Sequence, residues 1–77
     1  MLTGRRFVLR IPTLAIENYD GKNRAVPIPA NTTVKVVSGS LETDRLVDVQ
    51  YDGRVLSMFA IDLVQRGDEI KETDAQG

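Results

Sequence analysis

The stretch LVDVQYDGRVLSMF, residues 46–59, predicts the fold more directly than any other part of the chain. Apolar and polar residues alternate on both sides of Asp52–Gly53, as expected for two half-buried β-strands. Asp-Gly is a favoured sequence for a two-residue type I′ turn, because both central residues of that turn have positive φ. A hairpin with this turn sets Val49 opposite Leu56 and gathers the apolar side chains of both strands on one face.

A near copy of the hairpin tip, YDGK, occurs earlier at residues 19–22. The repetition is either a ligand motif used twice or one turn used twice, and we favour the turn. A hairpin about Asp20–Gly21 would pair Glu17 with Arg24, but neighbouring Asn and Pro residues leave a longer loop equally open. We therefore predict four structural turn residues: Asp20, Gly21, Asp52 and Gly53.

The N-terminal segment RRFVLRI, residues 5–11, also has the alternation of a β-strand. Pro12 interrupts this strand because proline has no N–H to donate to a neighbouring strand. The apolar positions then shift to Leu14 and Ile16, as expected if the chain kinks at the proline.

The residues after the central hairpin predict only a short turn before the last strand. Ala60–Asp62 is too short for a helix but suits one 3₁₀ turn. A final strand then begins at Leu63 and stops at Gly67. The expected fold class is all-β, with five strands and no helix longer than two turns.

Three segments in this order resemble small barrels of the Src-homology-3 type, and bacterial Src-homology-3 domains in particular. They are PANTTVKVV, LVDVQYDGRV and FAIDL, and the resemblance covers about residues 29–64. It implies a five-stranded barrel with a 3₁₀ turn before the last strand. The chain departs from the family at Leu46 and Leu56, where the bacterial domains usually carry aromatic residues. The aromatic groove that binds proline-rich peptides in the eukaryotic domains is therefore not expected here.

Length and composition predict one small domain, which we place at residues 1–67. The remaining residues, 68–77, hold four acidic residues and one lysine, and we expect them to form a disordered acidic tail. No apolar run approaches the length that spans a bilayer, and residues 1–10 do not resemble a signal peptide. We therefore expect the protein to be cytoplasmic and not to bind a membrane.

The chemistry of the chain argues against an enzyme. There is no histidine and no cysteine, which excludes a Ser–His nucleophile and removes the usual zinc ligands. No glycine-rich phosphate loop is present. Asp48, Asp52 and Asp62 could form a carboxylate pair, but Asp52 is needed by the turn. We expect no catalytic residues, no cofactor and no metal.

Arginine is the conspicuous charged residue, with seven Arg against three Lys. Arg6 and Arg10 share one face of the first predicted strand, and Arg5 lies beside them. Guanidinium groups bind phosphate well, so Arg5, Arg6 and Arg10 are a candidate contact for an anion or nucleic acid. The alternative, which we favour, is that they are solvated charges that keep an edge strand from pairing with another chain.

The end of the central hairpin offers a second candidate site. Alternation places Met58 in the core and Phe59 at the surface. One short closing strand cannot turn inward all four of the apolar residues found here: Phe59, Ile61, Leu63 and Val64. Strand alternation would place Leu63 inside with Ile61. We predict a partner contact at Phe59, Ile61 and Val64; the alternative, that all of them close the end of the barrel, stays open.

Two functional classes remain after these exclusions. One is a non-catalytic module that binds a protein partner or another copy of itself. The other is weak nucleic-acid binding through the arginine face. Residues 1–67 hold nine basic and seven acidic residues and few aromatics that could stack on bases, so the first class is favoured.

Overall fold

The computed structural model describes residues 4–71, which form seven β-strands and one short α-helix. In chain order these are β1 (Arg6–Leu9), β2 (Thr13–Tyr19), β3 (Lys22–Ile28), β4 (Thr32–Ser38), β5 (Leu46–Tyr51), β6 (Arg54–Phe59), α1 (Ala60–Arg66) and β7 (Gly67–Ile70). The strands form a single antiparallel sheet in the order β3-β2-β6-β5-β4-β1-β7. The predicted all-β class is confirmed. The predicted five-stranded barrel is wrong, because the sheet has seven strands and does not close.

The central hairpin, β5 and β6, has the register that its sequence predicts. Val49 lies opposite Leu56, and Tyr51 lies opposite Arg54 at the turn. Asp52 and Gly53 have φ values of 53° and 74°, which are those of a type I′ turn. The alternation of the sequence and the requirements of the turn agree, so only one register buries the apolar side chains.

The first YDG copy also forms a hairpin, between β2 and β3, and not the longer loop that its sequence left open. Asp20 and Gly21 have φ values of 55° and 77°, and Glu17 lies opposite Arg24. Both copies of the motif are therefore turns of one type, and all four predicted turn residues occupy them.

The predicted shift of the apolar positions after Pro12 is wrong. Thr13, Ala15 and Glu17 are the buried residues of β2, while Leu14 is exposed and Ile16 is half-buried. Glu17 can face inward because Arg24 and Arg54 neutralise its carboxylate, and a buried charge needs such partners.

The predicted 3₁₀ turn is instead the seven-residue helix α1, and the strand expected at Leu63 begins only at Gly67. Ala60 and Leu63 are buried and lie three residues apart, so they share one face of the helix. Ile61, which strand alternation would turn inside although it is also a predicted contact residue, is exposed on another face together with Val64. Helical and not strand periodicity governs these positions.

Strand β7 carries the paired chain to Ile70, past the domain boundary expected at residue 67. It pairs with β1, with Phe7 opposite Glu69 and Leu9 opposite Gly67. A Cβ on Gly67 would lie 2.9 Å from the backbone oxygen of Leu63, so the tight passage from helix to strand favours glycine here. Residues 72–77 of the expected tail lie outside the described residues.

The core contains twelve buried apolar residues that come from β1 to β6 and from α1: Phe7, Leu9, Ala15, Ile28, Val34, Val36, Val47, Val49, Leu56, Met58, Ala60 and Leu63. Met58 is inside and Phe59 outside, as predicted. Among residues 4–71 the structure has no helix with the length and apolar character that a membrane crossing requires.

Candidate docking surface

The three predicted contact residues, Phe59, Ile61 and Val64, line one surface groove of about 470 Å³ together with Leu41. Their exposed fractions are 40%, 57% and 57%. The fold brings them together because Phe59 is the last residue of β6 and α1 follows at once. Ile61 and Val64, three residues apart, then extend the surface that Phe59 begins.

The apolar surface continues across the sheet on both sides of Phe59. Leu46 lies directly opposite Phe59 on β5, and Leu14 of β2 lines an adjoining cleft with Phe59. Leu46 is 45% exposed and Leu14 is 60% exposed. Pro27 of β3 lies opposite Leu14, so an apolar row crosses four neighbouring strands, roughly 14 Å at their usual spacing. We call Leu14, Leu46, Phe59, Ile61 and Val64 the apolar face.

Charged residues of both signs border the apolar face. Asp44 and Arg45 lie on one side, and Asp62 and Arg66 lie on the other. Arg66 Nε is 3.5 Å from Asp62 Oδ1, and Asp44 Oδ2 accepts a hydrogen bond from the Ser40 amide at 2.9 Å. Arg45 makes no ion pair within residues 4–71. A polar border around apolar anchors is the usual composition of a protein interface.

The predicted arginine face is mostly occupied by acidic residues of the same chain. Arg5 donates to Glu69 through two hydrogen bonds, Nε to Oε2 and Nη2 to Oε1, both 2.9 Å long. Its guanidinium also lies 5.6 Å from the centre of the Phe7 ring. The hydrogen bond from Arg5 lowers the pKa of Glu69 below its ordinary value. Arg6 lies on β1 and lines an open cleft with Lys35 and Lys71.

Arg10 binds the end of α1 and the start of β7. Its guanidinium donates to Asp68 Oδ1 at 2.6 Å, to the Gly67 carbonyl at 3.2 Å and to the Gln65 carbonyl. Its backbone amide donates to the Arg66 carbonyl at 2.8 Å. The last carbonyls of a helix have no partner within the helix, so Arg10 supplies the donors that α1 lacks.

A partly exposed ion cluster around Glu17, which the sequence indicated only in part, joins the two YDG hairpins. Glu17 Oε1 accepts a hydrogen bond from Arg24 at 2.8 Å and another from Arg54 at 3.3 Å. The hydrogen bond from Arg24 is the main reason that the pKa of Glu17 lies below its ordinary value. The Arg24 guanidinium also lies 4.8 Å from the centre of the Tyr19 ring. Cross-strand pairing predicted Arg24 as the partner, but no pattern in the sequence pointed to Arg54.

The candidate carboxylates for catalysis lie on three separate elements. Asp48, on the outer side of β5, accepts hydrogen bonds from Ser38 Oγ at 2.9 Å and Ser57 Oγ at 3.1 Å. Asp52 lies in the β5–β6 turn, and Asp62 lies on α1. The part of the chain from residue 4 to residue 71 contains no group of three or more side chains placed to hold a metal ion.

No family model matches the chain, and neither the curated proteins nor the solved structures searched contain a match to it. The resemblance to the Src-homology-3 type therefore stays a prediction.

Proposed function

We propose that the chain is a non-catalytic protein-binding or assembly module that docks a protein on the apolar face. The observation that carries this proposal is a continuous group of five large apolar side chains, each at least 40% exposed. Phe59, Ile61 and Val64 line one groove, Leu14 lines the adjoining cleft with Phe59, and Leu46 lies opposite Phe59 in the sheet. Single exposed apolar residues are normal on a protein surface, whereas a contiguous group with a polar border is typical of an interaction site.

The apolar face is separate from the residues that stabilise the fold. The twelve core residues are each no more than 5% exposed. They already include Leu63 and Ala60, the two residues with which α1 packs on the sheet. Exposed Ile61 and Val64 add little to that packing, so their apolar character is better explained by a partner than by folding.

The second class, nucleic-acid binding, is less well supported. Arg5 and Arg10 already bind Glu69 and Asp68 within the chain. A nucleic acid would have to compete with these ion pairs for the same guanidinium groups. Tyr19, the most exposed aromatic residue among residues 4–71, lies beneath the Arg24 guanidinium and is not a free stacking platform.

Site-specific photo-cross-linking in the source cell tests the proposal. Ile61 is replaced by the photoreactive residue benzoylphenylalanine, and Val55 is replaced in the same way as the matched control. Both positions are 57% exposed, but Val55 lies on β6 away from the groove. Irradiation should give protein adducts from position 61 and few or none from position 55.

Two results would contradict the proposal. One is the absence of adducts at position 61 when the protein is folded and present at its normal level. The other is an equal yield of adducts from both positions, because this would show random collisions and not docking.

A further inference from the structure

We infer that the protein docked on the apolar face is a second copy of this chain, packed face to face about a two-fold axis. This inference rests on the proposed function, because it names the partner of the same surface. Three observations support it: both edges of the sheet are blocked, the apolar area suits a small dimer, and the border charges are balanced.

Strand β3 is a poor edge for adding a strand from another molecule. In an antiparallel hairpin, every second residue forms backbone hydrogen bonds with the partner strand. Counting from the turn, Lys22, Arg24 and Val26 bond to β2. The backbone N–H and C=O groups of the residues between and after them, Asn23, Ala25 and Pro27, therefore point away from β2. Pro27 has no N–H to offer there. The charged side chains of Lys22 and Arg24 on the same strand further discourage edge-to-edge pairing.

Strand β7, at the other edge, is blocked in a different way. The Gly67 amide donates to the Leu63 carbonyl at the end of α1, and the Gly67 carbonyl accepts from Arg10. The strand has only four residues and includes Asp68 and Glu69. Short, charged edge strands of this kind resist pairing, so assembly is directed to the face of the sheet.

The size of the apolar face suits a small homodimer. From the exposed fractions of its five members, it presents roughly 400 Å² of apolar surface, the size of the largest patch on a typical monomer, which is often functional. A standard interface buries about 800 Å² per partner, and in homodimers about 65% of that is apolar. The apolar face supplies most of this area, and the charged border supplies the rest.

The border is also neutral as a whole, with two acidic and two basic residues: Asp44, Arg45, Asp62 and Arg66. A two-fold axis brings the same surface of both copies together, so a border of one sign would repel itself. Here Arg45, which has no ion-pair partner in the described chain, can approach an acidic border residue of the other copy. Balanced charges therefore permit self-association where a single-sign border would oppose it.

Sedimentation equilibrium of the 77-residue chain tests the inference, with Val64→Lys as the disrupting variant and Val55→Lys as the control. Both valines are 57% exposed, but only Val64 lies on the apolar face. We expect the parent to sediment as a dimer at tens of micromolar. Val64→Lys should raise the dissociation constant of the dimer at least about tenfold, the effect of an interface hot spot. Val55→Lys should change it less than about twofold.

A parent chain that stays monomeric at these concentrations would overturn the inference, as would a dimer that Val55→Lys disrupts and Val64→Lys does not. Photo-cross-linking at position 61 distinguishes a chain that does not self-associate from a chain that docks no protein at all. An adduct at twice the chain mass of 8.5 kDa supports the second copy. Adducts only at other masses leave the docking function intact and contradict self-association. Circular dichroism of each variant confirms that a lost dimer is not a lost fold.

Discussion

Arg5 and Glu69 form a two-point ion pair, with both nitrogen–oxygen distances at 2.9 Å. The pair connects the segment before β1 to strand β7, sixty-four residues later in the chain. Arg10 and Asp68 make a similar connection at the other end of the same strand pair. The basic N-terminal residues and the first acidic residues of the C-terminal segment therefore bind each other, and these ion pairs hold β7 against β1.

Acid should weaken this fold through Glu17 and Glu69. Their arginine partners hold both folded-state pKa values below the ordinary 4.5, so the unfolded chain binds protons more readily than the folded one. The stabilisation is complete above that ordinary value and is lost as the pH falls through the lowered pKa values. The urea midpoint, measured at a series of pH values from 7 to 2, should stay nearly constant above the ordinary pKa of 4.5 and decrease below it.

The Glu17→Gln variant identifies the source of the acid sensitivity. It should be less stable at pH 7 and should show a shallower loss of stability with acid, because one shifted carboxylate is gone. Glu42→Gln is the control, since Glu42 is exposed and lies in the connection between β4 and β5, outside the ion cluster around Glu17. An acid profile that is identical in Glu17→Gln and the parent would show that the Glu17 cluster does not form.

Arg10→Ala should destabilise the domain by about 1–2 kcal/mol, because the Gln65 and Gly67 carbonyls lose their guanidinium donor and Asp68 loses its ion-pair partner. Arg10→Lys should lie between the parent and the alanine variant, since lysine keeps the charge but not the fork of nitrogens. Hydrogen exchange should show the largest loss of protection in α1 and β7. Uniform loss across all strands, or none in β7, would contradict the capping role.

Gly53→Val should cost roughly 1–3 kcal/mol of unfolding free energy, because a β-branched residue is strained at a positive φ. A Cβ at this position meets no atom within 4 Å, so the cost comes from the backbone conformation and not from a clash. Gly53→Asn should cost less, since asparagine tolerates the left-handed region. A valine variant with the parent's urea midpoint would exclude the type I′ turn.

The central hairpin was predictable from sequence because two independent signals agree in it, whereas the first YDG hairpin was left open beside a longer loop. At Asp52–Gly53 the turn chemistry and the alternation of β5 and β6 require the same register. At Asp20–Gly21 the alternation of apolar and polar residues is weaker. There the opposite charges of Glu17 and Arg24 were the other signal for the hairpin register. The apolar face was predicted in part, since Phe59, Ile61 and Val64 belong to it but Leu14 and Leu46 were not expected there.

Helix α1 and strand β7 were missed for physical reasons that are specific to them. Seven residues give fewer than two turns, too few for helical periodicity to stand out from strand alternation. The i, i+4 pair of Asp62 and Arg66 was a signal that could have indicated the helix. In β7, the acidic residues Asp68 and Glu69 are of the kind expected in a solvated tail. Only the fold shows that Asp68 pairs with Arg10 and Glu69 with Arg5.

Nucleic acid should bind weakly, because Arg5 and Arg10 are engaged within the chain. We expect a dissociation constant no lower than the non-specific range of about 10⁻⁴ to 10⁻⁶ M at physiological salt. Fluorescence anisotropy with a labelled oligonucleotide, repeated at several salt concentrations, measures both the affinity and its salt dependence. A salt-sensitive complex far tighter than this range would favour the nucleic-acid function over docking.

Docking on the apolar face requires that Ile61 and Val64 belong to a binding surface and not to the core. The most direct measurement is the unfolding free energy of the double variant Ile61→Ser/Val64→Ser, at a protein concentration low enough to keep the chain monomeric. Isoleucine, valine and serine have similar helix propensities, so the change removes apolar surface without weakening α1 itself. We predict a loss within about 1 kcal/mol, whereas Leu63→Ala, the buried comparison on the same helix, should lose about 2–5 kcal/mol. A double variant that loses as much stability as Leu63→Ala would place both side chains in the core and contradict the docking surface.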